Sequence, residues 1–157
     1  MSRVLARIAG AFEHPQRDIP DKSIQTVYQE LFAGALADAG MTADAIDGLY
    51  ASHPPGGVVA LADQLGLTNL SHMNSTDYGG STYVGMLGDA ARTIQAGQAT
   101  AVLVIMAGIP RHAGRQVRVP ADLANYEQAH GSTLISQYAQ VATRHMALYG
   151  TTREDLA

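Results

Sequence analysis

The chain contains no cysteine. Disulfides, thiolate metal sites and a cysteine nucleophile are therefore excluded within its 157 residues. Tryptophan is also absent and phenylalanine occurs twice, so seven tyrosines supply most of the aromatic surface. Lys22 stands alone beside nine arginines, a skew that reads as codon composition. The formal net charge of −4 leaves no nucleic-acid footprint. No stretch approaches about 18 uninterrupted apolar residues, so no membrane span is expected. The opening MSRVLARIAGAFEHP has no apolar core long enough for a signal peptide. A cytoplasmic setting is the default expectation. No GxGxxG follows a strand, and GxxxxGK[ST], HExxH and GxSxG are missing. The six histidines, at positions 14, 53, 72, 112, 130 and 145, show no metal-ligand spacing, so no metal is expected.

What is present is enough chain for one domain, at 46% apolar content. Residues 3–10 (RVLARIAG) alternate loosely and read as an opening strand. A polar loop over 11–22 precedes a helix from about Ser23 to Ala39. Its buried stripe is Ile24, Val27, Tyr28, Leu31 and Ala35, with Gly40 as the stop and Met41 as its hydrophobic partner. Thr42 caps a short turn. Residues 47–52 (DGLYAS) form a short strand that HPPGG breaks, and Val58–Leu65 form a short helix ended by Gly66.

Residues 69–107 carry the chain: a strand, a glycine turn, a helix and a second strand. The polar run Asn74 to Asp77 feeds Gly79-Gly80, and Ser81 or Thr82 caps a helix running to Gly97. Ala101–Met106 holds no polar residue, which suits a parallel strand covered on both faces. Tyr83 to Gly88 carries no charge, so the helix is expected to be enclosed with its N-terminus at the centre of the protein. Such a start offers free N–H groups and a positive dipole end to an acyl oxyanion. The plainer reading is a glycine turn that only reverses the chain. Tyr78, Ser81, Thr82 and Tyr83 crowd hydroxyls at this turn. His72, on the strand before it, reads first as a hydrogen-bonded core residue and second as a site residue.

Residues 108–131 form a long loop containing Arg111, Arg115 and Arg118. These read as a solvated basic surface or, alternatively, as a grip on the phosphates of a nucleotide-like cofactor. A helix from about Ser132 to Tyr149 follows, with Leu134, Tyr138, Val141, Ala142 and His145 on one face and Gly150 at its end. His145 is a capping or packing residue there. Thr151-Thr152-Arg153-Glu154 then reads as a capping box with little helix left to cap, as expected of an amino-terminal piece of a longer polypeptide.

Four stretches share one resemblance: ALADAGMTADAIDGLY, DYGGSTYVGMLGDAARTIQAGQATAVLVIMAG, YEQAHG and YAQVATRHMALYGTTREDLA. Together they make residues 1–157 resemble the amino-terminal half of a thiolase-superfamily protein, in the lipid-transfer-protein or sterol-carrier-type branch. The resemblance implies an α/β, layered αβαβα fold. This chain would be its amino-terminal half-domain, with a mixed, mostly parallel sheet, a buried central helix and a loop insertion at about 108–131. It implies a cytoplasmic homodimer handling acyl-CoA substrates in lipid or steroid metabolism, with coenzyme A arriving as part of the substrate and no bound cofactor. The family's nucleophilic cysteine slot falls at or beside Gly80, where this chain reads Gly79-Gly80-Ser81-Thr82. Cysteine-free relatives include aldolases that work with a small OB-fold (DUF35-type) partner, and acyltransferase-like members. The implied site is Gly80, Ser81 and Thr82 at the helix start, with Tyr78, Tyr83 and His72 toward substrate and Arg111, Arg115 and Arg118 toward the coenzyme. Acid–base groups would come from the absent carboxy-terminal half. The alternative is a non-catalytic, lipid-transfer-like or complex-forming subunit.

Overall fold

The computed structural model describes residues 6–108 and 131–156, in two compact units divided after Gly114. The first unit holds three helices and three strands: α1 (Ile24–Ala39), β1 (Gly48–Ala51), α2 (Gly57–Gln64), β2 (His72–Asn74), α3 (Thr82–Gln95) and β3 (Val102–Ile105). The strands are ordered β2-β1-β3, and both pairings are parallel. The expected mixed sheet is thus wholly parallel among the described residues.

Alternation along β1 sorts the core into two layers. Leu49 and Ala51 face α1 and α2, in a cluster with Phe32, Leu61, Leu103 and Ile105. Tyr50 faces the other way, against Met86 and Ala90 of α3. The link through α2 moves one strand in one direction, and the link through α3 moves back past β1 on the opposite face. Opposite moves on opposite faces give both crossovers the same hand, as right-handed parallel connections require. The result is a helix–sheet–helix sandwich.

The helices stop as their sequences indicate. Gly40, Gly66 and Gly97 each take left-handed backbone at φ 64, 68 and 69. After each, the next residue's N–H reaches back: Met41 to Leu36 O, Leu67 to Ala62 O, and Gln98 to Thr93 O. These are Schellman endings, in which a residue without Cβ adopts the αL turn at no steric cost. Ser23 caps α1 through Thr26 N–H, whereas Thr42 makes no side-chain capping bond.

The expected opening strand does not form among residues 6–10. That segment instead crosses α1. An added Cβ on Gly10 would lie 2.6 Å from Ala39 N, and one on Gly34 would lie 2.4 Å from the Phe12 ring. Ala11 N–H donates to Asp38 Oδ2 at 2.8 Å. Small residues let backbone and helix approach, and that contact replaces a place in the sheet. A cavity of about 580 Å³ lies between this segment, α1, α3 and the outer edge of β3.

The second unit contains α4 (Leu134–Tyr149), capped by a reciprocal Thr133–Ser136 box and ended at Gly150. His145 packs on Tyr149 with ring centroids 4.8 Å apart. The terminal capping box forms one residue later than its spacing predicts. Thr152 and Asp155 bond reciprocally, at 2.8 Å into the carboxylate and 3.3 Å back to the Thr152 hydroxyl, and a short 3₁₀ turn follows. Among the described residues no helix is long and apolar enough to cross a membrane.

Asp47 clamps the amino end of the sheet. Its carboxylate accepts from Thr100 N (2.8 Å), Thr100 Oγ1 (2.8 Å) and Ala101 N (2.8 Å). Partial burial raises its pKa, but the hydrogen bonds from Ala101 and Thr100 outweigh that and hold it below the usual aspartate value. We expect Asp47→Ala to destabilise the protein by about 1–3 kcal/mol, because the Thr100 and Ala101 donors lose their acceptor. Because the folded pKa is depressed, the contribution is complete above the unfolded value and is lost as pH falls through the folded one. Urea unfolding at pH 7 and pH 3 checks both: the gap between wild type and variant should narrow at the lower pH.

Candidate functional site

All three strands point their carboxyl ends at one rim. In open parallel sheets the binding crevice opens where adjacent strands send their following loops to opposite faces. Here those strands are β1, followed by α2 on one face, and β2, followed by α3 on the other. The rim between them is formed by Ser52-His53 after β1 and by Asp77 to Thr82 after β2.

The turn after β2 is built around Thr82, which is 1% exposed. Its hydroxyl accepts from Tyr78 N–H at 2.8 Å. Its own proton is shared between the Gly79 carbonyl at 2.6 Å and Asp77 Oδ1 at 3.1 Å. Asp77 Oδ1 also accepts from Gly79 N–H at 2.7 Å, with Gly79 at φ 66. Thr82 therefore holds the turn from inside. Ser81 occupies the N-cap position, exposed and without a side-chain capping bond. At Gly80 an added Cβ would meet nothing within 4 Å. The Tyr78 ring lies over the helix start, where a Cβ on Gly85 would come within 2.9 Å of it. Gly80, Ser81, Thr82, Tyr78 and Tyr83 are thus brought together.

His72 is not among them. It stacks on Tyr50 with ring centroids 5.6 Å apart, and its Nε2 lies 3.1 Å from Tyr50 Oη, which in turn bonds Thr93 Oγ1 at 2.7 Å. Thr93 lies eleven residues past the helix start, about 16 Å at a rise of about 1.5 Å per residue. The hydrogen-bonded core reading of His72 describes its position. Arg111, Arg115 and Arg118 lie outside the described residues.

Among the described residues the helix is not enclosed. It buries one stripe (Thr82, Met86, Ala90 and Thr93), while Val84 is 75% and Leu87 44% exposed. Absence of charge over two turns had pointed to cover on every side. One α/β sandwich covers one side of a helix, so the remaining apolar side stays open.

Two residues missed in the sequence complete the rim. His53 carries the one positive φ outside glycine among the described residues, at 47°. That left-handed backbone is uncommon for a side-chain-bearing residue and clusters at functional positions. Its Nδ1 lies 3.1 Å from Ser52 Oγ and, at ion-pair range, 3.7 Å from Asp77 Oδ2. The available signal was position: a histidine directly after the central strand of a parallel sheet. HPPGG read only as a strand breaker. Behind the pair, burial raises the Tyr83 hydroxyl pKa and nearby Tyr28 adds to the rise, while hydrogen bonding with Ser52 opposes it. Burial likewise raises Tyr28 against a hydrogen bond with the Ala107 backbone. Among the described residues no three His, Asp or Glu side chains converge on a metal-sized site.

A parallel sheet between helices, with a glycine turn and a helix start at its carboxyl rim, defines a layered α/β protein. The chain is 30% identical to an acetyl-CoA acetyltransferase of Methanothermobacter thermautotrophicus, over 87% of this chain and 38% of that protein. It superposes on a solved Ltp2-ChsH2(DUF35) aldolase with a TM-score of 0.70 and 27% identity, over 84% of this chain and 35% of that one. The chain therefore spans little more than a third of each of these proteins. No family model matches it. The two likenesses support a thiolase-related family.

The turn yields a direct contrast. Thr82→Val keeps the buried volume but strands Tyr78 N–H, and should cost about 1–3 kcal/mol. Ser81→Ala removes a hydroxyl without a capping bond and should stay within about 0.5 kcal/mol of wild type. Chemical denaturation of both variants checks this. Equal losses would mean that Ser81 and Thr82 share the work of holding the turn.

Proposed function

We propose that the protein performs carbon–carbon bond chemistry on acyl-CoA thioesters, of the aldol type, with no covalent acyl-cysteine intermediate. The observation that carries this reading is the position matching the thiolase nucleophile slot. It is a glycine with open space in front of it, at the start of a helix, in a chain without cysteine. Acyl transfer through a thiolate has no nucleophile there. Stabilising a thioester enolate oxygen needs only N–H donors and a positive dipole end, which Gly80 and Ser81 can offer, while the Thr82 N–H is already given to the Gly79 carbonyl at 3.1 Å. The solved aldolase of similar fold supports the aldol choice over acyl transfer. Tyr78 and Tyr83 flank the thioester in this reading. Coenzyme A comes with the substrate, and its phosphates belong to Arg111, Arg115 and Arg118.

The assembly is part of the proposal. The outer edge of β2 is open among the described residues, which suits pairing with a second copy in a homodimer. The aldolase of similar fold bears a DUF35 protein in its name, and an OB-fold partner of that type is proposed here as well. Lipid or steroid side chains are the proposed acyl groups, and the cytoplasm the proposed setting. The exposed Val84 and Leu87 favour one second reading, a complex-forming subunit whose helix face is covered by a partner.

The test is thioester cleavage by the purified full-length protein on 3-hydroxyacyl-CoA substrates. Gly80→Val meets no steric conflict, so it should leave the melting temperature near wild type while lowering kcat/KM at least tenfold by filling the space before the helix start. Unchanged rates in Gly80→Val would remove the site from the reaction. Absence of turnover with and without the OB-fold partner would favour the subunit reading.

A further inference from the structure

We infer that His53 is the acid–base residue this chain contributes to the active site, held in place by Asp77. The inference rests on the acyl-CoA reading above and departs from it in one respect: the proton carrier need not come from another part of the polypeptide.

Three independent observations meet at this side chain. The first is topological: His53 follows the central strand at the rim where the two crossovers diverge, across from the glycine turn. The second is conformational. A φ of 47° is uncommon at a residue with a Cβ, histidine adopting it more often than most, and it falls directly after strand β1. The third is chemical. Asp77 Oδ2 and Ser52 Oγ both face Nδ1, which leaves Nε2 as the nitrogen for proton exchange. The two carboxylate oxygens of Asp77 divide the labour. Oδ1 ties the turn through Gly79 N–H and the Thr82 hydroxyl, and Oδ2 faces the imidazole. Asp77 thus links the two, through hydrogen bonds to the turn and a longer ion-pair contact to the imidazole. Among the described residues the titratable neighbours include Asp77 itself, Tyr83 beside Ser52, and Tyr28 behind Tyr83. The imidazole side chain is 60% exposed, open to a reactant.

In the cleavage direction, His53 Nε2 takes the proton of the β-hydroxyl of a 3-hydroxyacyl-CoA. The O–H electron pair forms the new carbonyl as the Cα–Cβ bond breaks. The electrons of that bond move to Cα as the thioester enolate, whose oxygen faces the N–H groups at the start of α3. The imidazolium then returns its proton to Cα. A ketone or aldehyde and a shortened acyl-CoA leave, and no oxidant or covalent intermediate is required.

The test compares His53→Asn and Asp77→Asn with wild type in the full-length protein, on a 3-hydroxyacyl-CoA. Asparagine is chosen at 53 because it tolerates left-handed backbone. His53→Asn should lower kcat by about 10²-fold or more with little change in KM, and should abolish the acidic limb of the kcat/KM profile. Asp77→Asn should keep that limb while lowering kcat by less than His53→Asn does. An acidic limb that survives in His53→Asn would overturn the inference while leaving the acyl-CoA reading standing. If wild type turns over no thioester, that reading fails instead, and histidine-ring NMR decides the inference. The His53 resonance, identified by its loss in His53→Asn, should move on saturation with acetoacetyl-CoA, and a resonance that stays put overturns it.

Discussion

The structure depends on the double burial of β1. Four residues, Gly48 to Ala51, are shielded on both faces and paired on both edges. Leu49 and Ala51 complete the core under α1 and α2, and Tyr50 completes the core under α3. Fully burying a side chain of Leu or Phe size contributes about 1.5–3 kcal/mol. A one-residue slip would exchange the two sets and place the Tyr50 hydroxyl among aliphatic side chains, away from Thr93 and His72. Register is therefore enforced by polar chemistry on one face and by apolar packing on the other. With β1 fixed, the directions of both crossovers follow, and so does the crevice between them.

Much of this was legible in the sequence because it rests on local chemistry. Gly40, Gly66 and Gly97 announced helix ends, and each adopts the left-handed turn that only a residue without Cβ takes freely. The apolar run at Ala101–Met106 announced a strand in a parallel sheet. Less local features were hidden. Residues 6–10 have a strand-like alternation, but Gly10 and Gly34 open a close approach to α1, and no period reports a contact of that kind. The uncharged start of α3 read as enclosed because composition counts what a helix can bury, not what the surrounding chain covers. His53 was hidden by its neighbours. Two prolines and two glycines after it mark a turn so strongly that the residue before them looked like part of the break.

The turn itself separates structure from chemistry. Sequence crowds four hydroxyls there as if equivalent, and packing makes them unequal. Thr82 is buried and committed to three partners, so its hydroxyl is a structural element. Ser81 is exposed, and Tyr78 is pinned over Gly85. The Thr82 N–H is likewise committed, to the Gly79 carbonyl at 3.1 Å, so the start of the helix leaves the Ser81 hydroxyl and the backbone of Gly80 and Ser81 toward the open space at Gly80. In the proposed reaction those backbone N–H groups would stabilise developing negative charge, with no thiol beside them to attack a thioester carbonyl.

One electrostatic conflict ties the two sides of the crevice together. A carboxylate beside a helix start gains from the dipole, but an enolate formed at the same helix start would repel it. Two like charges about 4 Å apart interact with roughly 4 kcal/mol at an effective dielectric of about 20, less where solvent screens them. Asp77 is about half exposed, so screening removes part of this. In the proposed step a neutral base across the crevice becomes a cation as the enolate forms. With His53 at 3.7 Å from Asp77, that cation would arise next to the carboxylate and offset one of the two negative charges. A carboxylate that would hinder oxyanion formation alone becomes compatible with it once a histidine stands opposite, and the proposal joins the two residues on that ground.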